Sequence, residues 1–140
     1  MKLHVVTEFE APAQDVWRIM GAFHGLDRWF PGVTACPRDE TAWGEVRLAA
    51  LGDRVTPERL EFYDNAGMTC AWSLVDVPLL GEHRSTLTIS ALSDARSRAD
   101  WVFHADLQPP LDAERIEENT RRLYGAALAS VKATVENKSV

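Results

Sequence analysis

Little in this sequence supports the extremes of protein architecture. Cys36 and Cys70 are the only thiols in 140 residues. Two cysteines make neither a disulfide framework nor a metal quartet, and a reducing cytoplasm is the setting they suggest. No apolar run approaches the roughly 20 residues needed to cross a bilayer, so no membrane span is expected. The opening Met1-Lys2-Leu3-His4-Val5-Val6 lacks the apolar stretch of a signal peptide. Basic tracts are missing too. Fifteen Lys and Arg stand against 21 Asp and Glu, a net charge of −6, which makes nucleic acid and anionic lipid poor partners. His4 and His24 have no spacing relation to further metal ligands, so no metal is expected. Ser-His-Asp order, a glycine-rich phosphate loop and a dinucleotide fingerprint are all absent, and no cofactor is expected. There is no repeat, linker or low-complexity tract.

What is present is a core. Apolar residues make up 46% of the chain and five of the residues are tryptophan. A chain of this length fits one domain over residues 1–140. It buries about 68–70% of its extended surface without needing disulfides or metals.

Residues 2–10 alternate, with Leu3, Val5, Thr7 and Phe9 on one face, and predict a strand. Pro12 suits a first helical turn, and Val16, Ile19, Met20 and Phe23 recur at helical spacing to about Phe23. A second short helix is expected over residues 22–30, turning Leu26, Trp29 and Phe30 inward before Pro31-Gly32. Strand-like runs follow at about 33–39, 45–51, 55–64, 68–77, 82–92 and 97–107, broken by turn signals such as Asp64-Asn65-Ala66-Gly67. Short turns between such strands predict an antiparallel meander. Pro109-Pro110 closes the last strand. Asp112 then caps a helix over about 113–136, with Leu111 and Ile116 as a hydrophobic staple. Its inward stripe is Ile116, Thr120, Leu123, Ala127, Val131 and Val135. The fold class is therefore α+β: a curved seven-stranded antiparallel sheet gripping a long C-terminal helix. A curved sheet cannot touch a straight helix along its whole length, so a cavity between them follows from the shape.

Several segments resemble the bacterial polyketide cyclase/dehydrase-like family of the START-like, helix-grip superfamily, also labelled SRPBCC. These are Glu10-Ala11-Pro12-Ala13-Gln14-Asp15-Val16-Trp17, Leu26-Asp27-Arg28-Trp29-Phe30-Pro31, Glu58-Arg59-Leu60-Glu61-Phe62-Tyr63-Asp64, Trp72-Ser73-Leu74-Val75, Arg84-Ser85-Thr86-Leu87, Trp101 and Leu123-Tyr124-Gly125. Each is short; their order and spacing over nearly the whole chain carry the likeness. Glu58-Arg59-Leu60 and Glu82-His83-Arg84 are also similar to segments of plant abscisic acid receptors, distant relatives of that fold. One departure stands out: Phe30 replaces a histidine common in the family, so any proton-transfer role tied to that histidine is missing. The resemblance implies a helix-grip fold. Its members include cyclases, dehydratases, lipid carriers and hormone receptors, and fold alone does not choose among them.

Strand parity selects the polar residues that could face the cavity. Glu58 shares parity with Leu60 and Phe62, which are expected to point inward. A carboxylate there reads as a ligand contact or a general base, or else as a strand-end residue reaching water. Arg47, in parity with Ala49 and Leu51, reads as a partner of Glu58 or a clamp on a ligand oxygen, against a surface arginine in a weak ion pair. His83, in parity with Ser85, Leu87 and Ile89, reads as an acid or base, or as a satisfied structural histidine. His104 has outward parity. Trp29, Phe30, Trp43, Trp72, Trp101 and Phe103 supply aromatic surface for stacking on a planar ligand, or simply for the core. Parity turns Trp72 and Trp101 inward and Trp29 is expected near the mouth. The resemblance implies that Asn119 and Tyr124 lie beside the cavity, in the half of the last helix that borders it. Cys36 and Cys70 read as small buried apolar residues.

The leading expectation is a monomer or homodimer binding a hydrophobic, cyclic or aromatic small molecule, polyketide- or lipid-like. The second is a polyketide cyclase or dehydratase, with Glu58 or His83 as acid/base and Arg47 or Tyr124 as the donor to an enolate oxygen. A third is a ligand-gated partner module, with Pro78-Leu79-Leu80-Gly81 as its lid.

Overall fold

The computed structural model describes residues 1–137. The alternation at the start forms β1 (Lys2–Phe9), with Leu3 and Phe9 fully buried. Pro12 opens α1 (Ala13–Met20), whose Ala13, Val16, Trp17 and Met20 turn to the core. This helix stops short of Phe23. Trp17 folds its indole back over the Gly21 backbone, where an added Cβ would lie 2.5 Å from the ring, and only glycine leaves that room. Phe23–Arg28 forms the second short helix, of 3₁₀ form and lying within the expected residues 22–30.

The strands are β2 (Val33–Ala35), β3 (Val46–Leu51), β4 (Arg54–Asp64), β5 (Thr69–Leu74), β6 (His83–Ala91) and β7 (Ser97–Ala105). They form one seven-stranded sheet in the order β1-β7-β6-β5-β4-β3-β2, every neighbouring pair antiparallel. Three strands are shorter than their apolar patterns. β2 ends at Ala35, because Pro37 has no N–H to give the ladder; it offers only its carbonyl, to the Leu48 N–H. β5 ends at Leu74, before Asp76 takes a left-handed backbone conformation, φ 59°. β7 ends at Ala105.

One irregularity changes which residues face inward. Leu60 pairs with Trp72 and Phe62 with Ala71, so a bulge inserts Glu61 into β4. An extra residue reverses the parity beyond it. Phe62, expected inside, is therefore 49% exposed, and Tyr63, itself 44% exposed, takes the face toward α1, where its ring meets Trp17 and its hydroxyl donates to the Gly21 carbonyl. Trp43, counted among the aromatic supply, is 85% exposed in the loop before β3 and serves neither core nor cavity.

The last helix, α2 (Ala113–Glu136), forms where its cap and periodicity place it. The Asp112 side chain accepts from the Arg115 N–H. Tyr124, Ala127, Leu128 and Val131 are its buried residues. α2 packs on β1 and α1, and in its C-terminal half Lys132 Nζ donates to the Glu8 carbonyl at the end of β1. The N-terminal half stands off the sheet and leaves a space. Among the described residues no helix is long and apolar enough to cross a membrane.

Candidate functional site

That space is a cavity of about 240 Å³ bordered by β3, β4, β5, β6, β7, the Leu26–Val33 segment and the first half of α2. Its walls are mostly apolar. Trp72, Trp101, Phe103 and Phe30 supply the rings, and Leu26, Val33, Ala49, Leu51, Leu74 and Leu123 the aliphatic surface. Arg47, Glu58, His83 and Tyr124 border it as well. Eight of the ten sequence-selected residues thus share one cavity.

The other two do not reach it. Asn119 is exposed and its side-chain oxygen accepts from Arg122. At 100° per residue it lies off the edge of the inward stripe, which runs through Thr120, Tyr124 and Ala127. Trp29 is buried at 3% exposure, packed against Phe30 and Trp101 instead of standing at the mouth. It supports the rings that line the cavity.

Arg47 and Glu58 are directly opposite in the β3–β4 ladder. Arg47 Nε donates to Glu58 Oε1 at 2.7 Å, and Nη2 lies 2.7 Å from the same oxygen. Nη1 donates to the Phe23 carbonyl at 2.8 Å. The guanidinium carbon sits 4.2 Å from the Phe23 ring centroid and 4.8 Å from that of Trp72, both within cation–π range. A charge with 3% side-chain exposure is tolerated because it is paired, hydrogen-bonded and stacked at once. No hydrogen bond reaches Glu58 Oε2 among the described residues.

His83 is held by backbone groups at both ring nitrogens. Its Nδ1–H donates to the Gly81 carbonyl at 3.0 Å, and its Nε2 accepts from the Leu74 N–H at 2.8 Å. The β5–β6 ladder stops at Trp72 and Ser85, and the imidazole continues it by capping the next backbone donor. Both nitrogens are occupied, which fixes one neutral tautomer. In this arrangement both ring nitrogens are engaged by backbone groups, the geometry of a satisfied structural histidine. The same segment is tied down further: Gln108 N–H donates to the Leu79 carbonyl and Asp106 N–H to the Glu82 carbonyl. Pro78–Leu80 is a 3₁₀ turn with Leu79 exposed.

Tyr124 stacks on Trp101 with centroids 3.7 Å apart and planes 14° off parallel. Its hydroxyl shares a hydrogen bond of 2.8 Å with Ser85 Oγ. Burial pushes the phenol well above its usual range, the Ser85 hydrogen bond opposing this only in part; it stays protonated and acts as a neutral hydrogen-bonding group. Ser85, expected inward, is a partner that sequence reasoning did not name as a site residue. Its parity with Leu87 was the available signal.

Both cysteines are free thiols and buried. Burial pushes the Cys70 thiol up to about 12, with Arg47 opposing, and raises Cys36 for the same reason. Among the described residues no group of three or more His, Cys, Asp or Glu is placed to hold a metal ion.

A family model described as polyketide cyclase / dehydrase and lipid transport matches residues 1–136. No curated protein matches the chain. Solved structures do. XoxI from Bacillus cereus has a TM-score of 0.86 at 19% identity, over 97% of this chain and 96% of its own. An aromatase/cyclase from a Streptomyces species has a TM-score of 0.76 at 17% identity, over 99% of this chain and 94% of its own. A START superfamily protein from Mycobacterium smegmatis has a TM-score of 0.75 at 12% identity, over 99% of each chain. At such identities the likeness is one of fold, and it is the START-like, helix-grip fold. The family match extends over all but the last few residues, and on it the chain belongs to the polyketide cyclase / dehydrase and lipid transport family.

Proposed function

We propose that the protein binds a hydrophobic, ring-bearing small molecule in the cavity between the sheet and the first half of α2, and holds it without converting it. One observation carries the reading. The walls are rings and aliphatic side chains, while the polar groups among them are largely committed to one another: Arg47 to Glu58 and Phe23, His83 to two backbone groups, Tyr124 to Ser85. Apolar contact gives affinity and a few fixed polar atoms give orientation, the usual composition of a small-molecule site. At about 240 Å³ the cavity suits a small ligand of one or two rings. The tied-down Pro78–Gly81 segment lends no support to a gating lid.

A second reading is favoured by one atom. Glu58 Oε2 is free of hydrogen bonds among the described residues and could take a proton from an acidic C–H, as a cyclase or dehydratase requires. The fold likeness to an aromatase/cyclase agrees with it. The test is a paired measurement of affinity and product formation with one panel of aromatic polyketides. A carrier binds members of the panel without turnover. Product formation that falls by about 10²–10⁴-fold in Glu58→Gln, with affinity retained, would install the enzyme.

A further inference from the structure

Resting on that reading of the cavity, we propose that it selects neutral ligands that carry a hydrogen-bond donor, such as a phenol or ring alcohol, and rejects carboxylates of the same shape. Charge and unused bonding capacity both point this way. Among the described residues Arg47 and Glu58 are the only formally charged side chains lining the cavity, and they neutralise each other across 2.7 Å. His83 is engaged by backbone at both nitrogens, its Nε2 by the Leu74 N–H and its Nδ1 by the Gly81 carbonyl. The site is therefore electrically closed. A ligand carboxylate would bring a second anion to a guanidinium that already has one, inside apolar walls where an unpaired charge is costly.

The unused capacity is an acceptor. Both contacts from Arg47 fall on Oε1 of Glu58, and a carboxylate has about four lone-pair sites on its two oxygens. No hydrogen bond reaches Oε2 among the described residues, and its residue lines the cavity with a side-chain exposure of 14%. An O–H donor placed there makes a charge-assisted hydrogen bond, the stronger kind. The aromatic walls position such a donor at the edge of a planar ring.

Four probes of one shape separate the possibilities: naphthol, methoxynaphthalene, naphthalene and naphthoate, measured by calorimetry at neutral pH with the wild-type protein and with Glu58→Gln. Naphthol is expected to bind about ten-fold or more tighter than methoxynaphthalene and than naphthoate. Glu58→Gln removes the anion and leaves Arg47 charged, so naphthoate is expected to gain about ten-fold or more and overtake naphthol. Naphthoate binding the wild type as tightly as naphthol overturns the proposal, as does an unchanged ranking in folded Glu58→Gln. Binding of naphthalene in either case would leave the apolar-cavity reading standing. Failure of all four probes would overturn both. Should Glu58→Gln fail to fold by circular dichroism, the wild-type ranking alone decides.

Discussion

Replacing Arg47 and Glu58 singly and together tests whether this pair is a closed unit. Arg47→Met strands a carboxylate beside the cavity and takes the donor from the Phe23 carbonyl. Removing one partner of a buried pair costs about 3–5 kcal/mol. That is a large share of the roughly 5–15 kcal/mol that holds a domain together. Glu58→Leu strands the guanidinium instead. Glu58 is the more exposed partner, 14% against 3%, so water partly screens the loss and about 2–4 kcal/mol is expected. The double variant leaves neither charge unpaired. What remains is the Phe23 carbonyl without its donor, worth about 1–3 kcal/mol, against which apolar packing of Met and Leu gains. The coupling between the sites is then at least about 2 kcal/mol. Urea unfolding of all four proteins measures it, with equal slopes required before midpoints are converted to free energies. Additivity within about 0.5 kcal/mol would refute the reasoning, because independent sites add and a closed pair does not.

Other perturbations have distinct signatures. Leu128→Ala empties a site that is fully buried in α2 and is expected to cost about 2–5 kcal/mol in urea unfolding. Asn119→Ala changes only an exposed side chain, so stability should stay within about 0.5 kcal/mol and ligand affinity should not move. His83→Gln is expected to lower stability by about 1–3 kcal/mol by loosening the latch on Leu74 and Gly81; a ligand-affinity pH profile that loses an imidazole titration in this variant would show instead that the ring meets the ligand. Cys70 gives a pH dependence with a definite sign. Its folded thiol is raised from 9.0 to about 12, so the unfolded chain releases the proton first. Stability is unaffected by this group below 9.0 and falls as pH rises from there toward 12. Cys70→Ala should make the alkaline decline shallower in unfolding curves taken across that range.

The architecture was legible wherever one periodicity ruled a segment. Leu3 through Phe9, Ser85 through Ile89 and the stripe of α2 each report one buried face, and Asp112 marks where the last helix begins. Parity also brought Arg47, Glu58, Trp72 and Trp101 to one cavity, since cross-strand neighbours on a sheet face inherit the alternation of their strands. It failed at Phe62, where the bulge at Glu61 adds a residue that no local pattern announces. Asn119 was placed by likeness alone, and the helical wheel argues against it. His83 shows a further limit. Its inward parity was right, but a side chain's parity says nothing of whether its nitrogens are already engaged by backbone groups that come close only after folding. The closed Arg47–Glu58 pair was foreseen as an option, whereas the third contact, to the Phe23 carbonyl 24 residues earlier in the chain, depends on where the 3₁₀ turn settles against the sheet.

Ligand binding by this protein requires that a small molecule enter the space between the sheet and α2. Methyl-resolved NMR during a titration with naphthol measures this directly. The predicted result is a saturable shift confined to the methyls of Leu26, Val33, Ala49, Leu74 and Leu123, which border the cavity, with Val6 and Leu92, exposed elsewhere on the molecule, unmoved. Shifts centred on Val6 or Leu92, or no shift at the cavity methyls up to the solubility limit of the probe, would contradict it.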